Sequence, residues 1–287
     1  MQVNRIKCIF TVARAEYQRW ITNPRIIIVG VLIVFMKTLA VDPLLTRAEK
    51  YGEVLSIFEP FVAIGNSGML VMLMPAVFLV LISDYPLMTG NTIFFMRRTG
   101  RMNWFVGQLV FTVMAIASFM AVTVVGGILV SGGRASFSWS NTITKYESRY
   151  PDEAGNFVSS LIPSNLYNQM SLPIAVLQTL VLMFLYMFLL SQIIYFFKMI
   201  HIQSLGLFVS VFVVAAGVMT CSLRVPAMWA FPMANAIAWL HYNEILSARV
   251  YPVWGSYCYF IVLITIMVTI NVIAAKKLQL YNIELVE

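Results

Sequence analysis

Few residues of this chain could do covalent chemistry, and the first to consider is a serine between glycines. Gly65-Asn66-Ser67-Gly68 has the G-x-S-G spacing that can present a serine nucleophile. Such a serine needs a general base within hydrogen-bonding distance, and only His241 falls on the same predicted side of the molecule. Tyr242-Asn243-Glu244 follows this histidine in place of small residues, so close helix packing explains the glycines better. Proteolysis through Ser67 is kept as a weak alternative.

Other catalytic patterns are missing. The sequence holds no G-x-x-x-x-G-K-[ST] phosphate loop, so we do not expect the chain to hydrolyse ATP alone. Two histidines on opposite predicted sides and three scattered cysteines offer no metal-ligand spacing. Cys221 and Cys258 are predicted to lie near the same membrane face, so a disulfide between them is one alternative. Two small buried thiols are the favoured interpretation. We therefore predict a non-enzymatic chain with no metal or cofactor of its own.

The composition indicates what such a chain does instead. Of the 287 residues, 60% are hydrophobic and 11% are charged, and the mean hydropathy is +0.84. In soluble domains, about 45–50% of the residues are apolar and about 25% are charged. The high apolar fraction and the low charged fraction exclude most soluble enzymes, transcription factors and disordered chains. The sequence predicts an integral membrane protein.

The apolar runs predict an all-α polytopic fold, since a spanning helix needs roughly 20 apolar residues. Residues 1–24 precede a single transmembrane domain over 25–287. Pro75 is expected to kink the second span, and the first is expected to extend outward past Asp42. The six predicted spans cover about 26–43, 61–82, 104–130, 172–197, 205–223 and 257–275.

The distribution of charge predicts the orientation of these spans. Eleven of the 19 basic residues fall in the segments that would be inside, and seven fall outside. The positive-inside rule then places both termini in the cytoplasm. No run of Arg and Lys could track nucleic-acid phosphates. No N-x-[ST] sequon occurs, which favours a bacterial plasma membrane.

Residues 1–24 predict a basic amphipathic helix that lies in the cytoplasmic interface of the lipid bilayer. Apolar residues recur at helical spacing, and Asn23–Pro24 breaks the pattern. An ordinary helix packed on the protein is the alternative. The expected interface residues are Arg5, Lys7, Phe10, Arg14, Tyr17 and Trp20.

The apolar stretch 226–240 is too short to cross, and Pro232 interrupts it. A crossing would also put Lys276 and Lys277 outside, against the charge rule. We expect a re-entrant hairpin from the outer face before the last span, with Asn235 and His241 shielded by protein.

The inner loop 83–103 is unusual because it is short yet apolar. Gly90 and Gly100 bracket a predicted helix over 91–99, whose basic end suits a helix C-terminus. Exposed apolar groups at this density indicate a contact surface, on a cytoplasmic partner or on lipid. The candidate docking residues are Tyr85, Pro86, Leu87, Met88, Ile93, Phe94, Phe95, Arg97 and Arg98.

Three polar residues could line a pathway. Lys37 is the one clear charge inside a span, where it could contact substrate, although snorkelling or pairing with a nearby acid is favoured. Glu59 and Asn66 near the outer end of the second span could line an exit or cap a loop. An ion-coupled secondary transporter would need ionisable residues deep in several spans, so it is the weaker transport hypothesis.

This arrangement resembles the permease subunit of ABC-2 type transporters. The shared features are the basic interfacial helix, six spans, the inner loop between spans two and three and the hairpin before span six. Within that group it is similar to permeases of Gram-positive peptide exporters, including exporters of bacteriocins and toxin peptides. Ser83-Asp84-Tyr85-Pro86 and Arg97-Arg98-Thr99-Gly100-Arg101 with Trp104 carry that likeness.

The resemblance implies a half-transporter. Two permease chains, identical or different, would form the pathway, and two copies of a cytoplasmic ABC ATPase subunit would bind ATP and Mg. The segment from Tyr85 to Arg98 would be the coupling helix that docks on the ATPase. The cargo expected from the uncharged spans is amphipathic or hydrophobic, and a peptide is the first choice from the resemblance.

Overall fold

The computed structural model describes residues 5–68, 70–88, 90–243 and 249–277, without the side chains at 90, 91 and 93–95. Helices make up this part of the chain and no strand occurs in it, apart from two isolated bridges, Ser56 with Arg134 and Tyr242 with Arg249. The all-α fold class is confirmed.

The first part of the described chain, up to residue 131, is a series of helices. They are α1 Arg5–Ile21, α2 Pro24–Tyr51, α3 Glu59–Asn66, α4 Leu73–Ile82, α5 Gly90–Thr99 and α6 Arg101–Ser131. The segment that follows α6 folds into short helices, and long helices return after it. They are α7 Asn141–Thr144, α8 Tyr146–Arg149, α9 Ser164–Tyr167, α10 Leu172–Met199, α11 Gln203–Ser222, α12 Pro232–Ala236 and α13 Val253–Lys277.

Within the described residues, five helices are long and apolar enough to cross a membrane: α2, α6, α10, α11 and α13. Helix α10 is the most central, since half of its most apolar window is buried, against 17% in α13. Close approach at small residues assists the packing. A Cβ on Gly126 of α6 would stand 2.7 Å from Ile33 of α2.

The first predicted span does extend past Asp42, as expected, because α2 continues to Tyr51. A π turn, Lys37–Val41, interrupts it. The Lys37 ammonium lies 2.9 and 3.0 Å from the two carboxylate oxygens of Asp42. Lys37 is exposed and paired, as favoured from the sequence.

The second predicted span is not one helix with a kink at Pro75. It is α3 and α4, and the chain between them leaves the helix at Ser67, whose backbone is extended. Pro75 lies in the first turn of α4, where a missing amide hydrogen costs nothing. The main-chain oxygen of Asn66, freed by the break, accepts a hydrogen bond from Trp239 Nε1 at 2.6 Å.

The segment before α13 consists of short pieces. The 3-10 turns Pro226–Ala230 and Ala238–His241 flank α12. All five residues of α12 are buried, whereas Met228 is the one buried residue of the first turn. Asn235 Nδ2 donates to the carbonyl oxygens of Trp229 and Phe231 at 2.9 and 3.1 Å. How deeply this segment enters a membrane stays a prediction.

Candidate functional site

The inner loop contains a real helix, α5, joined to α6 through a single glycine. The Gly100 amide donates to the carbonyl of Met96 at 2.9 Å, and the amide of Trp104 donates to the carbonyl of Gly100 at 3.1 Å. Gly100 has φ of 85°, a conformation that residues with a Cβ rarely adopt. The glycine therefore ends one helix and starts the next within one residue, which fixes α5 at an angle on α6.

One face of helix α5 packs against the rest of the protein, and its C-terminal end exposes basic side chains. Thr92 and Met96, one turn apart, are buried, and the helix packs against α1 and α6. Arg97 and Arg98 are exposed. Of the predicted docking residues, the side chains of Ile93, Phe94 and Phe95 lie outside the described residues.

The start of the loop is tied to two other helices. Arg25, in the first turn of α2, contacts the Asp84 carboxylate at 2.7 Å and donates to Ser83 Oγ at 3.1 Å. Lys198, near the end of α10, donates its ammonium to the Asp84 carbonyl oxygen. We name Arg25, Ser83, Asp84, Tyr85 and Lys198 the basal cluster. It connects α2, the loop and α10 at one point.

Tyr85 is an anchor in this cluster. Its side chain is 1% exposed, its ring centroid lies 5.0 Å from that of Phe111 on α6, and burial raises its pKa to about 12. Pro86 is buried beside it, whereas Leu87 and Met88 are half-buried. Within the chain, the predicted docking set thus divides into buried anchors at its start and exposed arginines at its end.

Helix α1 uses two faces. Val12, Ala13, Glu16 and Trp20 are buried against α6, and Tyr17 Oη lies 2.7 Å from Ser118 Oγ of that helix. The side chain of Phe10 is 58% exposed. The basic residues predicted to meet lipid headgroups, Arg5, Lys7 and Arg14, are also exposed. The helix packs on the protein and keeps a second, amphipathic face free.

The pathway candidates Glu59 and Asn66 are completely buried. The Glu59 carboxylate accepts hydrogen bonds from the Ser140 amide at 2.7 Å, Ser140 Oγ at 3.1 Å and the Ser56 amide at 3.1 Å. Burial dominates over these bonds and raises the pKa of Glu59 to about 7.

Asn66 joins three segments. Its Nδ2 donates to Thr179 Oγ1 at 2.7 Å, and its Oδ1 accepts from the amide of Ala238 at 2.9 Å. In the single chain, Glu59 and Asn66 therefore hold loops and helices together. A role for them or for Lys37 in lining a pathway stays a prediction.

The histidine that proteolysis would need is engaged elsewhere. His241 Nε2 lies 2.8 Å from Ser256 Oγ, which donates to Asn235 Oδ1 at 2.8 Å. All three side chains are fully buried, and buried Ser67 Oγ has no hydrogen-bond partner in the described residues. This network joins the segment before α13 to α13 itself. Sequence reasoning singled out Asn235 and His241 but missed Ser256.

Cys221 and Cys258 are both free thiols. Across the described ranges, no group of three or more His, Cys, Asp or Glu side chains could hold a metal ion. Comparison with protein-family models, with curated proteins and with solved structures finds no match to this chain.

Proposed function

We propose that this chain is the permease subunit of an ATP-driven exporter of the ABC-2 type. Two copies, or one copy and a related chain, form the pathway, and each engages a cytoplasmic ATPase that supplies ATP and Mg chemistry. The observation that carries this proposal is α5, a short helix set between α4 and α6 with Arg97 and Arg98 exposed at its end.

Such a helix can transmit force because its supports are stiff. The basal cluster ties the start of the loop to α2 and α10, and the tight Gly100 junction joins its end to α6. A push on α5 therefore reaches three apolar helices at once. Packed elements of this kind switch between discrete arrangements rather than bending continuously.

The apolar helices support a partner chain and an apolar cargo. Only 22% and 17% of the most apolar windows of α11 and α13 are buried in the single chain, which leaves faces for lipid or for a second permease. A pathway built from such faces carries few charges, as a hydrophobic or amphipathic peptide requires.

We also propose that the chain crosses the membrane six times. Helices α3 and α4 together make a broken second crossing, which gives six crossings with the five long helices. The segment around α12 forms the re-entrant hairpin, since its fully buried Asn235 and His241 meet protein rather than lipid. Both termini are then cytoplasmic, in a bacterial plasma membrane.

A charge-reversal experiment tests the docking surface. In Arg97→Asp with Arg98→Asp, we expect the permease to insert normally but to lose at least tenfold in co-purification with an ATPase encoded beside it. The reason is that exposed arginines at a helix end would meet acidic groups of the partner. The matched control is Lys145→Asp, an exposed basic residue of the opposite end.

Unchanged ATPase association in the double variant, with the control also unchanged, would show that α5 is not the docking helix. Transport of an amphipathic peptide by the purified chain in vesicles without any ATPase would instead support the secondary-transporter alternative.

A further inference from the structure

Glu16 is the single acidic residue of α1, and it is buried where that helix packs on α6. Its side chain is 3% exposed, and the facing Gln108 is completely buried. Gln108 Nε2 donates to Glu16 Oε1 at 3.3 Å. A planar carboxyl and a planar amide thus already share one hydrogen bond.

The second oxygen of each group has no partner. Glu16 Oε2 and Gln108 Oε1 are both buried, and neither accepts a hydrogen bond in the described part of the chain. A carboxylate and an amide oxygen can only accept. With Glu16 ionised, two buried acceptors would stay unsatisfied, and each would destabilise the fold because it has lost its hydrogen bonds to water.

A single added proton would give both of these oxygens a hydrogen bond. A proton on Glu16 Oε2 can be donated to Gln108 Oε1 while Glu16 Oε1 still accepts from Gln108 Nε2. We infer that Glu16 is protonated in the folded protein and forms a ring of two hydrogen bonds with Gln108, so that the junction of α1 and α6 is a proton-binding site.

The surrounding charges are compatible with this assignment. Arg19 on the same helix favours the ionised carboxylate, but desolvation by burial is the larger effect and raises the pKa of Glu16 above its ordinary value of 4.5. Glu16 in turn acts electrostatically on Tyr85 of the basal cluster and on Tyr195 of α10. The basic residues of α5, Arg97 and Arg98, are exposed.

The sign of the pH effect follows from the raised pKa. The folded state holds the proton more tightly than the unfolded chain, so this stabilisation is complete below pH 4.5. It is lost as the pH rises through the folded pKa. Because α1 and α6 both pack on α5, release of the proton loosens the two helices that hold it.

Substitution by glutamine tests the ring, because an amide at position 16 can make the same two hydrogen bonds without a proton. Using the full chain in detergent, we expect Glu16→Gln to match the wild-type unfolding midpoint at acidic pH. Unlike the wild type, it should lose no stability at this site as the pH rises. Glu16→Ala should lower the midpoint by about 2–4 °C or more at acidic pH, since it removes both bonds.

An infrared measurement reads the proton directly. At pH 6, in a Glu59→Gln background that removes the other buried carboxyl with a raised pKa, the chain should show a protonated-carboxyl C=O band. The further substitution Glu16→Gln should abolish this band, while the control Glu49→Gln, at an exposed glutamate, should keep it. If Glu16 is instead an ion held by Arg19, Glu16→Gln will destabilise as much as Glu16→Ala at every pH and will not change the band. Either result would overturn the assignment.

Discussion

Glu59 shows how one buried carboxyl makes the stability of the fold depend on pH. Its pKa is raised from 4.5 to about 7 by burial. A raised pKa means that the stabilisation is present below pH 4.5 and is lost as the pH rises through 7. The shift corresponds to ~3 kcal/mol.

We predict that Glu59→Gln flattens this dependence. At pH 5 the variant should be less stable than the wild type by about 1 kcal/mol, because the glutamine cannot accept from both the Ser56 and Ser140 amides as the carboxyl does. At pH 8 the difference should reverse, because the wild type has by then lost more stability through its raised pKa than the glutamine lost in hydrogen bonds. Denaturant unfolding from pH 5 to 8 measures it, with Asp152→Asn, an exposed acid, as control. A difference that does not change with pH would contradict the assignment.

The contacts of individual side chains were the hardest feature to predict from the sequence. Lys37 was placed correctly because its partner, Asp42, lies only five positions away. Glu16 escaped notice because a lone acid in a basic helix looks solvated, and its partner Gln108 lies 92 positions away on another helix. Ser256 was missed for the same reason, since local patterns carry no information about such distant contacts.

At the scale of elements, the long apolar helices follow directly from hydropathy, whereas the break between α3 and α4 does not. The apolar run 61–82 reads as continuous. What permits the break is a donor from far along the chain, because Trp239 satisfies the carbonyl oxygen of Asn66. Without that contact, a buried acceptor would favour continuing the helix.

We therefore predict that Trp239→Phe destabilises the protein by about 1–3 kcal/mol, since it keeps the aromatic ring but removes the indole donor. The unfolding midpoint in detergent should fall. Trp254→Phe is the matched control, because that indole is 66% exposed, and it should leave the midpoint unchanged. Equal midpoints for wild type and Trp239→Phe would mean that the Asn66 carbonyl finds another donor.

At the scale of the whole molecule, the basal cluster allows the proposed attachment of an ATPase to be tested separately from the proposed transmission of its motion. Arg97 and Arg98 are available to a partner, whereas Lys198 is buried at the other end of the loop and holds the Asp84 carbonyl to α10. Removing the ammonium leaves the exposed surface of α5 intact. The same change separates the start of the loop from α10, while the link to α2 through Arg25 remains.

Lys198→Met should therefore keep ATPase co-purification at the wild-type level and yet reduce peptide-stimulated ATP hydrolysis by about tenfold, which equals ~1.4 kcal/mol of lost coupling. The aliphatic length is retained, so the packing of α10 is preserved. Reconstituted complexes in vesicles, assayed with and without an amphipathic peptide, measure the ratio. If stimulation survives in Lys198→Met, force from α5 reaches the apolar helices through Gly100 to α6 and through Arg25 to α2, and the link to α10 serves only the fold.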